Sequence, residues 1–111
     1  MSTIFSKIIA GEIPANVVYE DDLCMAFEDV NPIAPMHILL IPKKELAKLS
    51  DADTVDQGLL GHMMLKTSEV AKKAGFEDYR VVINNGIGAQ QSVFHLHLHI
   101  IGGRKLNWPP G

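Results

Sequence analysis

The sequence HLHLHII at residues 95–101 alternates three histidines with aliphatic side chains. Alternation with a period of two predicts a β-strand with one buried face, because successive side chains leave a strand on opposite sides. The three imidazoles should therefore share one face and the aliphatic side chains the other. We predict this strand over residues 93–101, with the aliphatic side chains in the core and the imidazoles free for chemistry.

The composition is that of a folded domain rather than of a linker or a tail. Hydrophobic residues make up 47% of the 111 residues, and the formal charge is −3 without a long basic run, which argues against a nucleic-acid partner. The longest apolar runs, such as Ile38–Ile41, are far too short to span a bilayer. Cys24 is the single cysteine, so an internal disulfide is excluded and a reducing compartment is favoured. We expect one domain over residues 1–111, located in the cytoplasm, with no membrane or nucleic-acid partner.

Secondary-structure signals indicate short strands before and after one long helix. Ser2 or Thr3 can cap a short helix that ends near Ala10, and Asp53 can cap a long helix over Thr54–Ala74. The apolar face of the long helix is predicted from Val55, Leu59, Leu60, Met63, Met64, Val70 and Ala71, and the other strands at Val17–Glu20, Cys24–Glu28, His37–Ile41 and Tyr79–Asn84. This order predicts an α+β fold with a five-stranded antiparallel sheet, one long helix and one short helix.

The histidine triplet allows three interpretations from its residues alone. It could be an ordinary polar strand face, but the strict alternation of three of the chain's five histidines disfavours this explanation. It could bind zinc, but the first and third imidazoles lie about 13 Å apart along a strand. A metal site would therefore need a further ligand, for which His37, Asp29 and Cys24 are available. It could also be catalytic, because a neutral imidazole can attack phosphorus while a neighbouring imidazole donates a proton to the leaving group.

The loop before the triplet contains residues that suit an anion. Asn84, Gln91 and Ser92 offer side-chain donors, and Gly86 and Gly88 allow backbone N–H groups to approach a phosphate closely. Each residue could equally belong to an ordinary turn. Their position directly before the histidines favours a phosphate site. The chain has no Walker-A pattern, so ATP-driven phosphoryl transfer by that route is not indicated.

The pattern HLHLHII resembles the His-φ-His-φ-His-φ-φ motif of the histidine-triad superfamily, in which φ is an apolar residue. Seven further segments resemble the Hint branch of that superfamily: residues 5–9, 27–30, 34–37, 41–44, 91–93, 102–104 and 108–111. The Fhit branch lacks the ending GGR…WPPG, and the galactose-1-phosphate uridylyltransferase branch has glutamine at the position of His99. The resemblance extends over nearly the whole chain.

The resemblance implies a homodimeric purine nucleoside phosphoramidase that needs no metal or other cofactor. Such enzymes cleave the P–N bond of adenosine or guanosine 5′-monophosphoramidates and related acyl-adenylates. On this chain, His97 would be the nucleophile, with its tautomer fixed by the backbone carbonyl of His95. His99 and Ser92 would contact the phosphate and the leaving group, and His95 and His37 would form a supporting hydrogen-bond relay.

The resemblance also implies a nucleotide pocket and a contribution from a second subunit. Asn84 and Gln91 would line the phosphate pocket, and the Asp29 carboxylate would accept from the ribose hydroxyls. The purine would lie between apolar side chains, those of Phe5, Ile8, Phe27 and Val30. The dimer would form through the long helix and the fourth strand, and Trp108 would reach the site of the partner. The alternative is a zinc- or nucleotide-binding regulatory module without significant turnover.

Overall fold

The computed structural model describes residues 2–111, within which a five-stranded antiparallel sheet packs with two α-helices. The strands are β1 (Val17–Glu20), β2 (Cys24–Glu28), β3 (Met36–Pro42), β4 (Tyr79–Val82) and β5 (Leu98–Gly102). Their order in the sheet is β1-β2-β3-β5-β4, and the helices are α1 (Ile4–Ile9) and α2 (Gln57–Lys73). The α+β architecture predicted from the sequence is confirmed.

The strand order places two histidine-bearing strands, β3 and β5, side by side. Leu39 of β3 pairs with His99 of β5, and His37 pairs with Ile101. Residues two apart on a strand point to the same face, so His37 and His99 lie diagonally on one face within side-chain reach.

The two faces of the sheet carry separate apolar clusters. Leu96, Leu98 and Ile100 join the larger cluster, together with Met63 and Val70 of α2. The smaller cluster on the opposite face contains, among others, Phe5, Met25, Phe27, Leu39 and Ile41, with Ile8 and Ile9 of α1 packed against it. The short α1 covers only part of that face, so the histidines beside it border open space.

Helix α1 begins with a reciprocal capping box. The Thr3 hydroxyl oxygen accepts from the Ser6 backbone N–H at 3.2 Å, and the Thr3 backbone N–H donates to the Ser6 hydroxyl oxygen at 2.7 Å. This arrangement satisfies backbone donors that the first turn of a helix otherwise leaves unpaired. Of the two caps predicted, Ser2 and Thr3, the structure has Thr3, and this cap positions the buried Phe5 ring against the sheet.

Helix α2 begins three residues later than predicted. Asp53 caps a 3-10 turn at Thr54–Asp56, and the α-helix follows from Gln57. Val55 and Met64 were expected in the core but are 82% and 51% exposed. Val55 lies in the 3-10 turn that precedes α2 and so does not belong to the buried face of the helix. Met64 lies next to that buried face, which includes its neighbour Met63. Neither α2 nor any other helix among residues 2–111 is long and apolar enough to cross a membrane.

Strand β5 begins at Leu98 rather than at residue 93, because its partner strand ends in a proline. Extending the register of β3 and β5 would place Leu96 opposite Pro42, which has no N–H to donate. The Leu96 N–H instead donates to the Leu46 carbonyl at 2.6 Å. The alternation survives outside the regular strand, since Leu96 stays in the core while the His95 and His97 rings both contact Phe5.

Candidate active site

His97 has one ring nitrogen held by the backbone. Its Nδ1 lies 2.8 Å from the His95 carbonyl oxygen, and a carbonyl can only accept, so Nδ1 carries the proton. In the neutral ring, Nε2 is then left with a free lone pair. The structure thus contains the hydrogen bond through which the His95 carbonyl was expected to fix the tautomer of His97.

A second chain of hydrogen bonds determines the proton positions of His37 and His99. The Ile33 backbone N–H donates to Nδ1 of His37 at 3.1 Å, so Nε2 of His37 carries the proton and donates to Nδ1 of His99 at 2.9 Å. The proton of neutral His99 must then be on Nε2. Among the residues described, this Nε2 is the buried side-chain polar atom without a hydrogen-bond partner. A buried N–H in this state is costly unless a ligand accepts from it.

Burial keeps these imidazoles neutral at physiological pH. It lowers the pKa of His99 to about 4, with smaller contributions from His97 and His37. Burial also lowers the pKa of His97, more than its bond to the His95 carbonyl raises it, and that of His37. The rings of His97 and His99 have centroids 5.0 Å apart. A free lone pair and a free N–H donor therefore occur on neighbouring rings.

His95 is not part of the relay between His37 and His99. Its Nε2 donates to the Pro42 carbonyl at 2.7 Å, and the residue is 2% exposed. The Phe5 ring packs edge-on against His97, with centroids 5.0 Å apart, and lies 6.2 Å from His95. The predicted relay of His95 and His37 is thus split in the structure: His37 contacts His99, whereas His95 supports His97 through its carbonyl and its packing.

An apolar cavity of about 480 Å³ opens beside His97. We call it the apolar cavity; its lining includes Phe5, Ile8, Phe27, Asp29, Val30, Ser92, His97 and His99, all predicted as site residues. Phe5 and Phe27 are buried, whereas Val30 at its rim is 90% exposed. The structure brings these eight residues together around one space, although they come from three separate segments of the chain, residues 5–8, 27–30 and 92–99.

Asp29 contributes a carboxylate that can accept further hydrogen bonds. Its Oδ1 accepts from the Asn31 backbone N–H at 2.8 Å, and its Oδ2 lies 3.4 Å from Nε2 of His37. A carboxylate has about four acceptor positions. Asp29 can therefore accept from two hydroxyl groups of a ligand while it keeps its place beside the relay.

A second cavity, of about 530 Å³, lies on the other side of His99. We call it the arginine cavity, because Arg80 and Arg104 line it together with His37, His99 and Asn84. Asn84 was expected at the phosphate, and the structure places it on this side. His99 lines both cavities and lies at the boundary between them.

Gln91 does not line either of these cavities, contrary to expectation. Its amide oxygen accepts from the Gly86 N–H at 2.8 Å, and its amide nitrogen donates to the carbonyls of Ala47 and Val93 at 2.7 and 3.0 Å. The side chain is 4% exposed. Gln91 therefore stabilises the loop that carries Ser92, and the same bond occupies the Gly86 N–H that was expected to bind an anion.

Comparison with known proteins agrees with this geometry. The model of the HIT domain family matches residues 10–106. This chain belongs to the HIT domain family. An uncharacterized HIT-like protein of Synechocystis is 64% identical over 110 residues, which cover 98% of this chain and 96% of that protein.

Solved structures of HIT proteins share the fold closely. A HIT family hydrolase from Legionella pneumophila superposes with a TM-score of 0.96 at 44% identity, over 99% of this chain and all of that one. A zinc-bound histidine triad family protein from Mycobacterium smegmatis superposes with a TM-score of 0.80 at 30% identity, over 95% of this chain and 77% of that one.

Several residues at the site of this HIT protein were missed from the sequence. Asn16 and Glu28 line the apolar cavity and are hydrogen-bonded to each other, and Arg80 and Arg104 line the arginine cavity. These polar residues are isolated on short strands or in a glycine-rich tail, so they form no spacing pattern from which a site could be predicted. Sheet pairing alone could have suggested Arg80, because it lies opposite Ile101, two residues from His99.

Trp108 lies in the tail of the HIT domain and lines neither of the two cavities. It is 81% exposed, and the Arg80 guanidinium carbon lies 5.9 Å from its ring centre. A contribution to a partner's site, as expected from the sequence, stays a prediction.

Potential metal ligands cluster in two places within residues 2–111. One group, Asp29, His37 and His99, belongs to the site described above. The other comprises Asp21, Cys24 and His62, between the β1–β2 turn and α2. In each group the donor atoms lie within 4.8 Å of one another.

Proposed function

We propose that this HIT protein is a purine nucleoside phosphoramidase of the Hint branch. It hydrolyses the P–N bond of adenosine or guanosine 5′-monophosphoramidates, and of related acyl-adenylates, through a nucleotidyl-His97 intermediate. The observation that carries the proposal is the pair of opposite tautomers: His97 presents a lone pair at Nε2, and the adjacent His99 presents an N–H at Nε2.

The first displacement uses both rings. Nε2 of His97 attacks the α-phosphorus in line with the P–N bond, and a bond from phosphorus to Nε2 forms as the P–N bond breaks. The anionic phosphate of the substrate favours uptake of one proton by the His37–His99 pair. The Nε2 proton of His99, which otherwise lacks an acceptor, then goes to the departing amine and leaves both rings neutral. Burial lowers the pKa of the His99 imidazolium, so the protonated ring is a stronger acid toward the amine than an ordinary imidazolium.

The second displacement restores the protein. Water attacks the same phosphorus, the bond from phosphorus to Nε2 of His97 breaks, and the water proton returns to Nε2 of His99. The products are the free amine and a nucleoside monophosphate. The relay from Ile33 through His37 fixes the orientation of His99 in both steps, so neither ring must reorganise between them.

The two cavities suit the two parts of such a substrate. The apolar cavity, with buried Phe5 and Phe27, matches a purine, and Asp29 beside it matches the ribose hydroxyls. Ser92 at the same cavity supplies a hydroxyl donor for a phosphate oxygen. The leaving group would then project past His99 toward the arginine cavity, where Asn84 lies.

A homodimer is part of the proposal. Leu65 of α2 is 76% exposed, and the Gly58 and Gly61 positions have no atom within 4 Å of an added Cβ, so another chain can approach α2 closely. We propose that a second copy packs on α2 and β4 and that Trp108 reaches the partner's site. A Leu65→Arg substitution should convert the dimer to a monomer in analytical ultracentrifugation.

We also propose that the protein is located in the cytoplasm.

The decisive experiment is to trap the intermediate. The protein is mixed with an adenosine phosphoramidate, quenched within milliseconds, digested and examined by mass spectrometry. An adenylylated peptide with the modification on His97 is expected, and the His97→Asn protein should show none. Turnover without any adduct on the peptide that contains residues 95–101 would contradict the mechanism.

The second candidate function is a zinc- or nucleotide-binding module without turnover. It is favoured by the convergence of Asp29, His37 and His99 and by the zinc found in the M. smegmatis relative. It predicts stoichiometric zinc that survives dialysis and no release of amine from a phosphoramidate, whereas the enzyme should keep its activity in the presence of a chelator.

A further inference from the structure

The second group of potential metal ligands shares no residue with the histidine relay. Asp21 is in the turn between β1 and β2, Cys24 is the first residue of β2, and His62 is on α2. The carboxylate oxygen, the thiol sulfur and an imidazole nitrogen lie within 4.8 Å of one another. The proposed hydrolysis makes no use of them.

The Asp21 carboxylate is fixed before any ligand arrives. Its Oδ1 accepts from the backbone N–H groups of Leu23 and Cys24 at 2.8 and 2.9 Å. Its Oδ2 lies 2.6 Å from the Tyr19 hydroxyl and 2.6 Å from Nε2 of His62. The bonds from Leu23, Cys24 and Tyr19 do not involve His62, so they hold the carboxylate in place even when the contact with His62 opens, and much of its ordering entropy has already been lost on folding.

The cluster is open on one side and closed on the other. The side chains of Asp21 and His62 are 24% and 29% exposed, so an ion can enter from solvent. Cys24 is fully buried. A soft sulfur, an imidazole and a carboxylate together form a donor set that suits zinc rather than magnesium or calcium.

We propose that Asp21, Cys24 and His62 form a binding site for a thiophilic divalent cation of the zinc type, completed by water. Bond lengths of 2.0–2.3 Å to such an ion place tetrahedral ligand atoms about 3.3–3.8 Å apart. Small side-chain rotations bring the three donor atoms to those separations, with the contact between His62 and Asp21 opening to admit the ion.

Proton and charge balance are consistent with this ion. Cys24 releases its thiol proton to solvent and binds as the thiolate, while His62 binds through Nε2 with its proton on Nδ1. The carboxylate and the thiolate together neutralise the two positive charges of the ion. The bound ion links the β1–β2 turn to α2, two elements that the hydrogen bond from His62 already joins.

Lys66 provides a matched control on the same helix, one turn beyond His62. Its ammonium group lies 5.4 Å from the centre of the Tyr19 ring and pairs with Glu69 at 3.1 Å. Lys66→Gln removes a cation near the site without removing a ligand. It should therefore leave metal binding at least as strong as in the unmodified protein.

Cobalt titration of the full chain tests the proposal. After treatment with a chelator, the protein is titrated with Co²⁺, which reports a thiolate ligand by a sulfur-to-cobalt charge-transfer band in the near ultraviolet. One equivalent should produce the band, and Zn²⁺ should abolish it by displacement. His37→Asn, which alters the other cluster, and Lys66→Gln should both retain the band.

The ligand variants decide the outcome. Cys24→Ser should abolish the band, and His62→Gln should weaken Co²⁺ and Zn²⁺ binding at least about tenfold. Because His62 is partly exposed, this second variant tests the site even where Cys24→Ser does not fold. A chain that binds Co²⁺ without a thiolate band, or whose affinity is unchanged in His62→Gln, would show that the cluster is only a hydrogen-bonded link between the turn and α2.

Discussion

The two sides of the histidine segment are held in place by different forces. Leu96, Leu98 and Ile100 are at most 2% exposed and are fixed by packing against the α2 side of the core. On the other side, each imidazole is oriented by hydrogen bonds to particular atoms: His95 to Pro42, His97 to the His95 carbonyl, and His99 to His37. The aliphatic side contributes to stability by filling the core, whereas the imidazole side requires a defined proton position on each ring. Substitutions on the two sides should therefore separate stability from turnover.

The largest effect is expected for His97→Asn. The asparagine amide can still donate to the His95 carbonyl, but no lone pair of comparable nucleophilicity remains. Turnover of an adenosine phosphoramidate should fall on the order of 10⁴-fold or more, and the free energy of unfolding should change by less than about 1.5 kcal/mol. Initial rates, equilibrium binding of AMP and urea unfolding measure these quantities.

Equilibrium binding serves as the control for His97→Asn. The variant should bind AMP within about tenfold of the parent protein, because the purine and ribose contacts are unchanged. Near-normal turnover would show that His97 is not the nucleophile. It would also contradict the claim that substitutions on the imidazole side affect turnover rather than stability.

The opposite substitution, Leu98→Ala, should affect stability. Leu98 is 2% exposed, and truncating a buried leucine costs about 2–5 kcal/mol through lost burial and the cavity left behind. Urea unfolding measures this loss, while kcat/KM of the folded protein should remain within about tenfold. Leu98→Met, which conserves volume, is the matched control and should cost less than about 1.5 kcal/mol. A variant that remains stable but inactive would show that the aliphatic side also positions the chemistry.

The alternation of residues 95–101 predicted which side chains share a face, but it could not reveal where the regular strand begins. That boundary depends on Pro42, more than fifty residues earlier, because proline has no N–H to donate to a facing strand and the ladder ends there. Asp29 and Phe27 were found through the family resemblance. Gln91 was wrongly predicted to line the phosphate pocket, because a side-chain amide can hydrogen-bond either to a ligand or to its own loop. Only its observed partners, Gly86, Ala47 and Val93, decide between the two.

A pH titration of stability tests the imidazole side as a whole. Burial lowers the pKa of His99 to about 4 from an ordinary value of 6.5. Between these values the unfolded chain binds a proton that the folded chain does not, so stability should fall as the pH decreases from about 6.5 to about 4. Below that range His99 is protonated in both states and contributes no further change.

The His99→Asn variant isolates this contribution to the pH dependence. In urea unfolding across the same range, the midpoint of the parent should fall more steeply with decreasing pH than that of the variant, because the parent alone loses the contribution of His99. Parallel curves would mean that the ring titrates normally and is not desolvated, and the assignment of its Nε2–H as a donor would lose its electrostatic basis.

The smallest expected effect concerns the loop that leads into the histidines. Gln90 has φ of +71°, and Gly86 at the other end of the same turn has φ of +95°. A left-handed conformation costs a non-glycine residue about 1–2 kcal/mol, whereas glycine loses about 0.5–1 kcal/mol more conformational freedom on folding. Gln90→Gly should therefore stabilise the protein by about 0.5 kcal/mol in urea unfolding, and Gly86→Ala should destabilise it by about 1–3 kcal/mol. Since Gln90 precedes the buried Gln91 amide, loss of turnover in Gln90→Gly would mean that backbone stiffness, as well as the Gln91 hydrogen bonds, is needed to hold Ser92 beside His97.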